Sequence, residues 1–328
     1  MKLARQGRLG QAEILAGWRQ AWRQSRSLRW GLSLLALVLS FCLAAALLTP
    51  YAPDQLLPGS RLLPPSGEHP FGTDTLGRDL LSRVAFGGGL ALQMAALGIG
   101  LSLAAGLALG SLAGYYGGWV DQLLSRLMDG WLALPAALVA VVIVARLGAS
   151  LDHLILALGL MGVPTFYRMV RSNTLSVRCS AYVEAAVTLG ARDSRVMWRH
   201  VFPNILSPLV VLATTHAGIA LLTGSSLSFI GLGAQPPLPE WGSLMAAGRN
   251  YLDTGWWLSF FPGLAVTLTV IGLNLLGDGL RDALDPGLCR EEALPQGACS
   301  EPQAGDWRAS TRTEAERSLP LVRGEGTG

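Results

Sequence analysis

Residues 72–79 read Gly-Thr-Asp-Thr-Leu-Gly-Arg-Asp, the spacing of a nucleotide-binding loop without its working side chains. Such a loop needs a Lys to reach the phosphates and a hydroxyl to hold magnesium. Arg78 and Asp79 stand there instead, so ATP has no seat in this stretch. The four Cys, at 42, 179, 289 and 299, form no CxxC pair, and the four His, at 69, 153, 200 and 216, fall at no metal-ligand spacing. Neither a zinc or other metal site nor a disulfide scaffold is supported. His216 stands alone in an uncharged run, where a hydrogen-bonded packing residue is the more frequent reading than a proton relay. A chain whose reactive residues assemble into no catalytic set has to be read through its elements.

The 328 residues are 51% hydrophobic and only 14% charged, where a soluble domain carries about 25% charged residues. The net charge of +3 is too small and dispersed for a nucleic-acid partner. A charge at the bilayer centre is expensive and about 20 apolar residues cross the hydrocarbon, so runs without charge mark candidate spans. Six are found, at 30–53, 84–120, 123–147, 152–171, 204–226 and 254–277. The run 84–120 holds one full span plus a glycine-rich loop at its end, while 123–147 contains Arg126 and Asp129, and 152–171 is uncharged only over 153–167. The expected fold is an all-α polytopic membrane protein with six transmembrane helices and lipid as its solvent.

Short cytoplasmic loops are enriched in Lys and Arg, and 20 of the 25 fall on one side of these spans if both termini are cytoplasmic. The first apolar run begins after 29 residues and outruns a signal-peptide core, so it is expected to stay as a helix. The chain then divides into a cytoplasmic segment 1–29, a first helix with its outward loop 30–83, a transmembrane domain 84–282, and a cytoplasmic, polar, disordered tail 283–328.

Three segments specify contacts. Gly98, Ser102, Gly106, Gly110 and Gly114 recur at every fourth position, a stripe that lets another helix approach closely, from this chain or from another subunit. In the outward loop, Gly72, Thr73, Asp74, Gly77, Arg78 and Asp79 can form a turn that pairs its own charges as a clasp. In the largest inward loop, Ser180 can cap a short helix that Gly190 ends, Asp193 or Ser194 can start another, and Pro203 opens the fifth span. Ala185 and Ala186 are small enough to enter a groove and Glu184 is available for a charge-assisted bond, although an ordinary solvated loop fits the same pattern.

The sequence Tyr-Val-Glu-Ala-Ala-Val-Thr-Leu-Gly-Ala-Arg-Asp at 182–193, followed by Arg-His-Val-Phe-Pro-Asn at 199–204, resembles the EAA loop of ABC importer permeases. His69 to Asp74 with Leu76 to Asp79, Ser228 to Gly233, and Asn274 to Asp282 with Leu284 to Pro286 narrow the resemblance to the second permease subunit of the dipeptide, oligopeptide and nickel group. It covers roughly residues 28–288 in order. The resemblance implies a type-I ABC importer (MetI-like) permease fold over 84–282, in a bacterial inner membrane. Implied partners are a homologous permease subunit, two ATPase subunits that bind ATP and Mg, and an external substrate-binding protein. Glu184, Ala185, Ala186, Gly190 and Pro203 carry over to the ATPase-docking loop 180–203. Phe202 stands where the family more often has Leu. The implied function is peptide import without catalysis by this chain. Nickel or metal-chelate import is the alternative within the group, and a self-contained channel or ion-coupled carrier the alternative outside it.

Overall fold

The computed structural model describes residues 25–284, except for the side chains of Ala46 and Glu184. Most of the expected N-terminal segment, and all of the tail beyond Leu284, lie outside the described residues. The described chain is built from helices: α1 (Arg26–Leu48), α2 (Leu80–Tyr116), α3 (Gly118–Leu132), α4 (Ala136–Leu147), α5 (Leu151–Arg178), α6 (Ala181–Thr188), α7 (Asp193–Val196), α8 (Phe202–Phe229), α9 (Trp241–Gly248) and α10 (Trp257–Leu284). Five helical stretches are long and apolar enough to cross a membrane, and the count is six when the bent pair α3 and α4 is taken as one broken span.

Every span differs in extent from its uncharged run: α1 is Arg26–Leu48, and α10 runs to Leu284, past Asp278, Arg281 and Asp282. No glycine-rich loop follows the second span, because α2 continues for 37 residues, to Tyr116. At about 1.5 Å per residue that is about 55 Å, well beyond a hydrocarbon core of about 30 Å. Its last glycines lie in helix because tertiary packing against α5 outweighs their poor propensity. It also starts early: the Asp79 side chain accepts the Ser82 amide and caps the helix at Leu80, four residues before the uncharged run.

The third span is not one helix. α3 and α4 meet at 86° across residues 133–135. Pro135 biases Leu134 away from helical backbone and lacks an amide for the ladder, which accounts for the break. The fourth span runs past its uncharged stretch to Arg178, since Arg168 and Arg171 pair with Asp129 and Asp121 of α3. The fifth does not begin afresh at Pro203: the helical stretch Asp193–Phe229 is continuous, with a five-residue π-helical segment, Met197–Val201, just ahead of the proline. A proline ring clashes with the carbonyl four residues earlier, and local widening of the helix relieves that clash.

The small-residue stripe faces α5 of the same chain. The Ser102 hydroxyl donates to the Gly159 carbonyl at 2.6 Å, a Cβ on Gly110 would stand 2.7 Å from the Tyr167 oxygen, and one on Gly114 2.7 Å from Thr174 Cβ. Backbones this close exchange dispersion attraction in place of the hydrophobic drive that lipid removes. A second close contact, α1 on α10, places Gly31 against the Leu276 backbone and Gly272 against Leu35. Buried side chains form two clusters. The outer one holds Leu80, Met94, Leu154, Trp241 and Trp257. The inner one holds Tyr115, Phe166, Val170, Val183, Val196, Val201 and Ile205.

Candidate functional site

The loop before α2, expected to face outward, is organised around two buried side chains. Asp74 accepts the amides of Leu76 and Arg78 at 2.8 Å each and the Arg78 Nε at 2.6 Å. Thr73 ties distant segments: its hydroxyl donates to the Ser60 carbonyl at 2.5 Å and accepts the Leu63 amide, and its own carbonyl accepts Trp257 Nε1 at 3.2 Å. Gly72 and Gly77 have φ of 77° and 81°, a backbone region where a side chain is strained. Asp79 both caps α2 and meets His69 Nδ1 at 2.9 Å. Arg83, one turn into α2, donates to the Pro53 and Pro237 carbonyls and to Asp54, so the loop is stitched to the helix it starts.

Beside this clasp lies α9. Its N-cap, Glu240, is fully buried and accepts the Ser243 amide at 3.1 Å and the Ser225 hydroxyl at 3.3 Å. Burial pushes its carboxyl above the usual glutamate range, against hydrogen bonds that pull it down. The next residue, Trp241, donates Nε1 to the Val84 carbonyl at 2.8 Å and locks α9 onto α2.

At the opposite end of α2, the segment 180–203, expected to face inward, forms a knob. Ser180 occupies the N-cap position of α6, but its hydroxyl donates back to the Val177 carbonyl and does not cap the helix through its side chain. α6 closes as a Schellman turn: Gly190 donates to Val187 and Ala191 to Ala186, with Gly190 at φ 82°. The inner face is anchored by Val183 and Val196 in the inner core. Two side-chain bonds hold it to the bundle, Tyr115 Oη to Asp193 at 2.7 Å and Asn204 Nδ2 to Tyr182 Oη at 3.2 Å. The outer face carries exposed Ala185, Val187, Leu189 and Gly190, with Ala186 half-buried between them. Leu189 is 88% exposed and Val187 49%. Glu184 lies within α6, and its side chain is outside the described residues. Pro203 sits behind the knob, at the first turn of α8.

The structure thus gathers the outer-loop residues into one cluster and the docking-loop residues into another, with the length of α2 between them. Of the residues that fasten the clusters, Trp257 and Trp241 at one and Tyr115 at the other are not visible as a motif, whereas Asn204 closes the 199–204 segment of the sequence resemblance. Tryptophan at span ends is the one general signal that points to the outer pair. His216, expected to be hydrogen-bonded, instead lies with its ring 5.4 Å from that of Phe166, and neither nitrogen has a hydrogen-bond partner among the described residues. Among those residues there is also no group of three or more His, Cys, Asp or Glu able to hold a metal ion.

The described residues form a multi-span helical bundle with the loop before α2 at one end of that helix and the segment 180–203 at the other. The model of the family described as "binding-protein-dependent transport system inner membrane component" matches residues 106–290. The dipeptide transport system permease protein DppC of Alkalihalophilus pseudofirmus is 41% identical over 279 residues, covering 84% of this chain and 92% of that protein. The glutathione transport system permease protein GsiD of Pectobacterium atrosepticum is 39% identical over 272 residues, covering 83% and 90%. The di/tripeptide transport system permease protein DppC of Pseudomonas aeruginosa is 40% identical over 275 residues, covering 82% and 91%. In fold, a chain from the inward-facing MetNI methionine ABC transporter aligns with a TM-score of 0.51 at 18% identity, covering 61% of this chain and 94% of that one. The chain belongs to this family of ABC importer permeases. It is a multi-pass inner-membrane transport subunit, and the family sets aside both the self-contained channel and the ion-coupled carrier.

Proposed function

We propose that this permease imports short peptides, forming half of a translocation path with a homologous permease. Two ATPase subunits drive it from the cytoplasm and an external binding protein delivers the solute. The observation that carries the peptide reading is the match along nearly the whole length of proteins named for dipeptide and di/tripeptide transport. The relative named for glutathione, itself a tripeptide, supports a second reading within the same chemistry.

The coupling step is assigned to the knob. Exposed Val187 and Leu189 on a short helix are suited to a groove in a partner, and Gly190 lets the chain turn tightly beside them. ATP-driven closure of the ATPase pair would push the knob. Because α7 continues through the π-helical segment into α8, and Tyr115 joins the knob to α2, that push would tilt two spans together and switch the path between outward and inward opening.

The test is uptake by the complete complex in proteoliposomes. ATP-dependent accumulation of labelled di- and tripeptides that requires the binding protein is expected. Accumulation of nickel with no peptide uptake would overturn the peptide reading.

A further inference from the structure

A half-open cavity of about 200 Å³ lies at mid-height in the bundle, between the central turns of α2, α5 and α8 and the break in the third span. Leu132 and Ala136, on either side of that break, both line it. Most of the wall is apolar, with Ile219 and Met161 prominent. Four polar side chains interrupt it: His216, Thr165, Thr223 and Ser102.

Several threonine hydroxyls in the spans bond back to their own helix, Thr215 to Val211, Thr267 to Gly263 and Thr269 to Ala265, while that of Thr174, packed against Gly114 outside this cavity, has no partner among the described residues. Ser102, also in the wall, is satisfied by the Gly98 and Gly159 carbonyls. Thr165, Thr223 and both nitrogens of His216 have no hydrogen-bond partner among the described residues. At membrane depth an unpaired polar group is costly, and irregular backbone is tolerated where it lines a cavity. Three unpaired groups converging on one cavity beside a helix break form a site that awaits a polar visitor.

We propose that this cavity is a membrane subsite for the solute in transit, in which His216, Thr165 and Thr223 hydrogen-bond the amide and carbonyl groups of a short peptide. Ile219 and Met161 take its apolar side chains. This rests on the peptide reading above and gives it a location. The wall carries donors and acceptors but no carboxylate, which suits neutral amides over a bare metal cation. His216 and the two threonines act here as positioning residues, holding the peptide while the span bends about its break.

The experiment uses the whole complex in proteoliposomes with a labelled tripeptide. His216→Phe keeps a ring of similar size but removes both nitrogens, and loss of one or two hydrogen bonds corresponds to about tenfold slower uptake. Recovery of the complex should stay unchanged, and His216→Gln should restore part of the rate. A second arm places a thiol in the path. Thr223→Cys should be captured at position 223 by a tripeptide carrying an activated disulfide, only during ATP turnover, and excess unlabelled tripeptide should prevent it. The same substitution at Leu222, whose side chain is 52% exposed on another face of α8, should not be captured. Full-rate peptide uptake by His216→Phe, or equal capture at 222 and 223, would overturn the subsite while leaving peptide import standing. Failure of the unsubstituted complex to import any peptide would overturn the peptide reading itself.

Discussion

At its outer end α2 starts in a loop that satisfies its own polar groups; at its inner end it meets a knob that leaves apolar surface uncovered. Asp74 takes three hydrogen bonds within five residues, and Thr73 links the loop to itself and to Trp257. The knob is held by two side-chain bonds and a few buried valines while Leu189 stands 88% exposed. Both ends contain a glycine of positive φ in a tight turn, yet they differ in what surrounds it. A Cβ on Gly72 would stand 2.6 Å from the Leu63 carbonyl and 2.8 Å from Trp257 Nε1, whereas one on Gly190 would meet no atom within 4 Å. The outer glycine is required by this chain's own packing. The inner one faces open space among the described residues.

The sharpest way to break that contrast is at Gly190. Valine there strains the left-handed turn by about 1–2 kcal/mol and adds bulk at the open face, so uptake should be abolished in complexes that still assemble their permease pair. Alanine applies the strain with the least bulk and should retain partial uptake. Glu184→Lys should weaken ATPase recovery with the complex, more visibly at low salt because exposed charges are screened within a Debye length. Full solute-stimulated hydrolysis in both Gly190→Val and Glu184→Lys would reduce the knob to a solvated connector. Binding of solute by the external protein should be untouched throughout.

The assignment of the two ends to opposite sides of the membrane is equally open to an all-or-none test. A reporter active only in the cytoplasm should work when fused after Arg199 or Leu288 and fail near Pro64. Activity at Pro64 would invert the comparison.

A smaller effect is expected at the clasp. Arg78→Ala removes the closest cation from Asp74 but leaves its backbone amides and Arg83 Nε at 3.8 Å, so the cost is at most that of breaking a mostly buried pair, about 3 kcal/mol. Recovery of assembled complex should fall and its thermal midpoint drop, with uptake per assembled complex little changed. Wild-type uptake and assembly together would show that the pair does no structural work.

How much of this was legible in advance follows from where each signal resides. Runs without charge locate the membrane helices, and the four-residue period of Gly98 to Gly114 marks a contact face, because composition alone carries both. Charge absence cannot mark where a helix ends if the next charges are paired across to a neighbour, and so α5 outruns its apolar run through Arg168 and Arg171. Nor does it reveal that Pro135 breaks a span while Pro164, Pro208 and Pro262 stand inside helices that continue. That outcome depends on neighbours restoring freed backbone groups. Partners far apart in sequence, such as Tyr115 with Asp193 or Trp257 with Thr73, leave no local pattern at all.

The smallest effect concerns Glu240, and it asks whether the outer end is as fully satisfied as the clasp suggests. Its buried carboxyl has a raised pKa, so the folded protein holds that proton more tightly than the unfolded chain does. By linkage, stability from this group is fully present below the ordinary glutamate value and is lost as pH rises through the higher folded value. Glu240→Gln keeps an oxygen to accept the Ser243 amide but cannot ionise, so it should flatten this part of the profile. Thermal midpoints of the purified complex from pH 4 upward, compared between the two proteins, read the difference directly. Wild type should decline relative to Glu240→Gln as pH rises, by a few degrees for about 1 kcal/mol. Parallel profiles would mean that the hydrogen bonds from Ser225 and Ser243 fully offset burial. The outer end would then be as electrostatically closed around α9 as it is around Asp74.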